Sequence, residues 1–85
     1  MLKNTSTFLS KVEDIFSEAG YILRYEKGNF KAGYCLLKDT KVVIVNKYFN
    51  TENRIHCLVN LLKDIEISPN RLSEKSQKLL NEIFN

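Results

Sequence analysis

The one histidine of the chain, His56, begins the stretch His56-Cys57-Leu58-Val59-Asn60. This stretch has the length of the zinc-binding pattern H-E-x-x-H, in which two histidines one helical turn apart bind the metal and the glutamate is the general base. Here Cys57 stands in place of the glutamate and Asn60 in place of the second histidine. Since one ligand remains and the base is missing, we expect no metal site, no catalytic residues and no cofactor. The chain is therefore not expected to be an enzyme.

The two cysteines, Cys35 and Cys57, are far apart in the sequence, and neither belongs to a C-x-x-C motif. A small secreted domain that relies on disulfides usually has more cysteines. We expect both to be reduced, buried thiols in a cytoplasmic protein, because such a cysteine packs as a small apolar residue. No stretch approaches the ~20 apolar residues of a membrane span, and the N-terminal sequence lacks the apolar region of a signal peptide.

The chain has a formal net charge of +3, and its excess of positive charge lies in residues 21–50, where basic and aromatic residues are interleaved. Surfaces of this kind bind single-stranded nucleic acids, because cations attract phosphates and aromatic rings stack on bases. The alternative is structural, since aromatic residues favour strands and lysines on edge strands discourage aggregation. The residues of the predicted nucleic-acid site are Arg24, Lys31, Tyr34, Lys38 and Lys41.

A second basic pair, Lys47 and Arg54, flanks the predicted start of the second helix. The N-terminus of a helix favours anions, because its first backbone N–H groups have no partner within the helix. The pair therefore predicts an anion site. The alternative is that the same side chains cap the helix and contact Glu52.

Three helices are predicted from apolar residues that recur at helical spacing, over residues 5–19, 51–65 and 73–84. Gly20 follows the first helix, where a left-handed residue is expected. Ser68-Pro69 separates the other two helices. The predicted N-caps are side chains whose oxygens accept bonds from the first N–H groups of each helix, namely Thr5 or Ser6, Asn50 or Thr51, and Ser73.

Between the first two helices the pattern changes to a period of two, which predicts strands over residues 21–26, 30–37 and 41–46. Gly28-Asn29 and Asp39-Thr40 indicate turns, and Gly33 within the second strand indicates a bulge. Because both connections are short, we expect the strands to form an antiparallel meander. The predicted fold class is α+β, with the order α-β-β-β-α-α, in a single domain of residues 1–85.

A three-stranded meander packed against helices on one face leaves its other face open. The second and third predicted strands are apolar on both sides, so this outer face is expected to expose apolar residues. Such patches usually mark sites where another protein binds. We therefore expect a non-catalytic protein-interaction or self-associating domain that forms a homo-oligomer or binds a protein partner. Nucleic acid is the alternative partner, and no association with a membrane is expected.

Three segments resemble a family of small bacterial proteins that has no assigned activity. They are Gly-Asn-Phe-Lys-Ala-Gly-Tyr-Cys at 28–35, Val-Val-Ile-Val-Asn-Lys at 42–47, and Arg54-Ile55. The resemblance covers about residues 20–65 and implies a cytoplasmic bacterial protein, and it assigns no functional residue. The third strand and second helix are also similar to the core of zincin-type peptidases, which makes an inactive relic of such an enzyme a further alternative.

Overall fold

The computed structural model describes residues 5–27, 34–37, 39–65 and 67–84. The predicted turn at Gly28-Asn29 and the predicted bulge at Gly33 lie outside these residues. None of the helices in the described ranges combines the length and the apolar character that crossing a bilayer requires. In chain order the elements are α1 (Ser6–Glu18), β1 (Ile22–Glu26), β2 (Tyr34–Leu37), β3 (Val42–Asn46), α2 (Thr51–Leu62), a 3₁₀ turn (Pro69–Arg71) and α3 (Glu74–Phe84).

The limits of α1 agree with the sequence. The Thr5 hydroxyl accepts a hydrogen bond of 3.1 Å from the N–H of Phe8, which caps the first turn. After the helix, Gly20 has a φ of +91°, a conformation that glycine adopts without the steric cost that a Cβ would bring. The predicted N-cap and the predicted glycine are thus confirmed.

Helix α2 begins as predicted but ends earlier. The Asn50 side chain caps it by accepting a bond of 2.8 Å from the N–H of Asn53. At the other end, the N–H groups of Lys63 and Asp64 bond to carbonyls three residues back, at 3.2 and 2.9 Å. This tighter winding closes the helix after Leu62, so the prediction that it reaches residue 65 is wrong.

The order of strands in the sheet is β1-β3-β2, and the predicted antiparallel meander is wrong. β1 runs parallel to β3 with Ile22 opposite Val42, whereas β2 runs antiparallel to β3 with Leu37 opposite Val42. The prediction failed because it assumed that short connections join neighbouring strands. The end of β1 and the start of β2 lie two strand spacings apart, about 10 Å, a distance that a short connection can also bridge. The class remains α+β.

The helices cover one face of this sheet. Val43 and Val45 of β3 are fully buried in the same apolar cluster as residues of α1 and α2. Burial of a side chain of this size contributes about 1.5–3 kcal/mol. The apolar stripes predicted for the first two helices are confirmed. The largest fully buried side chains are Phe16, Ile15, Ile55, Leu58, Leu61, Val12, Val43 and Val45.

Glu18, at the end of α1, forms hydrogen bonds with the start of α3. Its carboxylate accepts bonds from the N–H of Ser73 at 2.7 Å and from the hydroxyl of Ser76 at 3.0 Å. The Ser73 hydroxyl in turn accepts from the N–H of Ser76 at 3.2 Å, which confirms the predicted N-cap. The N–H of Ser73 is the main cause that holds the pKa of Glu18 below its usual value, and it outweighs the opposing effect of partial burial.

Replacing Glu18 by alanine is expected to lower the free energy of unfolding by about 1 kcal/mol, because the start of α3 loses its acceptor. Urea unfolding followed by circular dichroism measures this loss. Because folding lowers the pKa of Glu18, the ionised carboxylate stabilises the protein above its unfolded pKa, and this contribution disappears as the pH falls through the folded pKa.

The difference between wild type and Glu18→Ala should therefore shrink as the pH is lowered from about 6 to about 3. Glu82→Ala is the matched control, since it removes an exposed carboxylate from α3 itself. Equal losses of stability in the two variants at neutral pH would contradict the capping role of Glu18.

Candidate functional site

The face of the sheet that is turned away from the helices is the main candidate surface. One row across it consists of Ile22, Val42 and Leu37, which are direct neighbours in the register of the three strands. Ile22 is 56% exposed and Leu37 is 46% exposed, while Val42 and Ile44 between the outer strands are half-buried. The sequence predicted apolar residues on the outer face of the second and third strands, and Ile22 extends this apolar row to β1.

Charged residues occupy only the β1 side of this outer face, as far as its side chains are described. Arg24 and Glu26 are exposed and lie on the same side of the strand as Ile22, since side chains alternate along a strand. Their neighbours on β3 are Ile44 and Asn46. An apolar centre with charges at its margin is the composition typical of protein–protein interfaces.

Of the five residues of the predicted nucleic-acid site, the structure describes the side-chain surroundings of Arg24 and Lys41, and these differ. Arg24 is exposed on the outer face, whereas Lys41 lies in the turn just before β3, with its ammonium 5.7 Å from the centre of the Tyr21 ring. Tyr34 is in β2, and Lys31 and Lys38 lie outside the described residues. Tyr21 is half-buried on the helix side and packs edge-to-face on Phe16, with 6.3 Å between ring centres. Its ring is therefore not presented beside Arg24.

In the predicted anion pair, the Arg54 guanidinium contacts the main-chain carbonyl of Lys47. Arg54 donates one N–H to the carbonyl of Phe49 at 2.9 Å and another to the carbonyl of Lys47 at 2.7 Å. The Lys47 ammonium lies 5.4 Å from the centre of the exposed Tyr48 ring. The guanidinium thus closes the connection between β3 and α2, which is a structural use of its charge.

Arg54 also belongs to a cluster on the inner side of the sheet. Its guanidinium carbon lies 4.4 Å from the centre of the Tyr25 ring, and the Tyr25 hydroxyl donates a hydrogen bond to the carboxylate of Glu13. Burial raises the pKa of Tyr25 well above its usual value, and the Glu13 carboxylate adds to this effect, while Arg54 opposes it. A tyrosine in this state stays protonated and donates its hydrogen bond, so the cluster connects α1, β1 and α2.

The residues of the degenerate zinc pattern differ in their exposure on α2. His56 and Asn60 are exposed on α2, while Cys57 is buried. Burial raises the pKa of the Cys57 thiol, which lowers the fraction of reactive thiolate. In the parts of the chain that the structure describes, no three His, Cys, Asp or Glu side chains are grouped so that they could hold a metal ion.

An open groove of about 570 Å³ runs between α1 and α3. Its walls carry Lys11, Lys75 and Lys78, but also Asp14 and Glu82. Residues of both charges line the groove, so it does not concentrate either sign of charge.

Glu13 and Glu18 are the residues of structural importance that the sequence analysis missed. Glu13 lies four residues after the buried Leu9, at the border of the apolar stripe of α1. A carboxylate at this position indicates a contact with a neighbouring element. Glu18 gives no such signal, because Ser73 is 55 residues away in the sequence.

Replacing Arg54 by lysine keeps the charge but removes the planar fork that reaches two carbonyls and stacks on Tyr25. We expect a loss of about 1–3 kcal/mol in the free energy of unfolding. Thermal or urea unfolding measures the loss, and Arg24→Lys is the matched control, because that side chain is exposed. If the Arg54 variant were as stable as the control, the proposed role of the fork would be wrong.

The segments 28–35 and 42–47, on which the resemblance to a bacterial family rests, give no direct lead to function. Comparison with protein-family models, with curated proteins and with solved structures gives no match for this chain. The resemblance and the zincin-like alternative therefore stay predictions. Function has to be argued from the surfaces and side-chain contacts described above.

Proposed function

We propose that this chain is a non-catalytic, cytoplasmic protein-interaction domain that self-associates through the outer face of its sheet and needs no cofactor. The observation that carries the proposal is the row of Ile22, Val42 and Leu37, of which the two outer members are about half exposed. Single exposed apolar residues are common on protein surfaces, but a contiguous row is characteristic of a binding site.

The chemistry of the buried polar groups supports a role without catalysis. Nucleophiles and general bases are usually activated by a lowered pKa or an adjacent base. Here burial raises the pKa of both Tyr25 and Cys57, which makes each group less reactive. Both side chains therefore fit a structural role better than a catalytic one.

The size of the face limits the strength of association. β1 and β3 have five residues and β2 has four, so the face is about 16 Å long and about 14 Å wide. A stable interface buries about 800 Å² on each partner, which a flat face of these dimensions does not reach alone. We therefore expect a reversible dimer with a dissociation constant in the micromolar range.

Sedimentation velocity over protein concentrations from about 1 to about 500 µM is expected to show a monomer that becomes a dimer. The double variant Ile22→Ser, Leu37→Ser should remain monomeric throughout, because the apolar row has lost both exposed members. Tyr48→Ser is the matched control, since it removes a 69% exposed aromatic ring from the turn after β3. A wild-type chain that is monomeric over the whole range would overturn the proposal and leave a foreign protein as the partner.

Nucleic acid is the second candidate partner, and one observation favours it. Tyr48 is 69% exposed, with the Lys47 ammonium 5.4 Å from its ring centre. An exposed ring beside a cation is the elementary unit of single-strand recognition. The buried hydroxyl contact of Tyr25 and the inward position of Tyr21 count against a larger stacking platform.

Fluorescence anisotropy with mixed-sequence single-stranded RNA and DNA separates the two proposals. If the protein is a nucleic-acid module, binding should be tight at low salt and weaken steeply as salt rises. The triple variant Lys31→Glu, Lys38→Glu, Lys41→Glu should then abolish it, and Tyr48→Ala should weaken it. Absence of binding at low salt, where the electrostatic contribution is largest, would eliminate this candidate.

A further inference from the structure

We propose that two copies of the chain pack their outer sheet faces together around a two-fold axis that runs along β3. Ile22 of each copy then lies on Leu37 of the other, and the two Val42 side chains meet at the axis. This inference rests on the proposed function and specifies the partner contacts of the same surface.

Symmetry leaves few ways to stack the two faces. Identical subunits in a closed dimer are related by a two-fold axis, and sheets that pack face to face keep their strands within about 30° of each other. An axis in the plane of the interface therefore runs either along the strands or across them. The side chains of the outer face decide between these two directions.

An axis across the strands sets β1 on β1 of the second copy in the opposite direction. If it passes through the level of Arg24, the two Arg24 side chains face each other and each Ile22 faces Glu26 of the other copy. Both contacts are unfavourable, since one places like charges together and the other desolvates a carboxylate against an apolar group. If it passes instead through the level of Ile22, only the first row of each sheet overlaps, which leaves Ile44 uncovered.

An axis along β3 matches the apolar row of one copy with that of the other. It sets β1 of one copy on β2 of the other, so the row of Ile22, Val42 and Leu37 lies on the same row read in reverse. Ile44 meets its own counterpart one step further along the axis. Arg24 then lies at the level of Cys35 of the other copy, and Glu26 lies beyond the end of β2, so neither charge meets a like charge and both stay at the outer edge of β1. The result is an apolar centre with a charged rim, as in known interfaces.

The geometry can be tested with charged variants at two exposed positions. Ile22→Lys and Leu37→Glu should each fold, since both side chains are about half exposed, and circular dichroism checks this. Each variant alone should self-associate at least about tenfold more weakly than wild type. Mixed together they should form a heterodimer. On one side of the axis the introduced lysine faces the introduced glutamate, and on the other side Ile22 still faces Leu37.

The control is a mixture of Ile22→Lys with Leu37→Lys, in which the two introduced lysines face each other. The dissociation constant, measured by sedimentation of Ile22→Lys labelled at its N-terminal amine, should be at least about tenfold higher in this mixture than with Leu37→Glu. If wild type associates but the two mixtures bind equally, the axis is wrong and the proposed function stands. If wild type does not associate at any concentration, both proposals fall.

Discussion

The structure depends on the apolar character of β3 on both of its faces. Val42, Val43, Ile44 and Val45 are consecutive, and because side chains alternate along a strand, two of them point to each side of the sheet. This composition suits the centre of a sheet, and β3 has β1 on one side and β2 on the other. The helices bury Val43 and Val45 completely. The apolar character of β3 agrees with its central position, and the helices cover one side of this strand while the other side forms the apolar outer face.

The parallel pairing of β1 with β3 also has to be held in register by other contacts, because no hairpin joins these two strands. Arg54 helps to meet this requirement. Its guanidinium bonds to carbonyls in the segment after β3 and stacks on Tyr25 of β1, while Tyr25 bonds to Glu13 of α1. One chain of contacts thus links the end of β3, β1, α1 and α2.

Local features of this fold were predictable from the sequence, whereas contacts between distant segments were not. The caps Thr5, Asn50 and Ser73 are encoded within a few residues of the helix starts, and the apolar stripes repeat within single helices. Either β2 or β3 could occupy the centre of the sheet and pair with β1. The spacing of residues in the sequence does not show which of the two does so. The sequence predicted that Arg54 faces an anion, whereas in the structure it bonds to two main-chain carbonyls. These carbonyls come close to Arg54 only when the segment after β3 turns into α2, and the spacing of residues does not show this turn.

The outer face differs from a surface that is simply solvated. A sheet with one wet face places polar residues at the outward positions of every strand, as β1 does with Arg24 and Glu26. At Ile22, Val42 and Leu37 the chain instead keeps apolar side chains in a continuous row. The same two charges, together with the short length of β1, make its open edge a poor template for the addition of another strand. The proposed association is therefore directed away from the edge and toward the face, where a matching apolar row on a second copy would bury the side chains that the helices cannot reach.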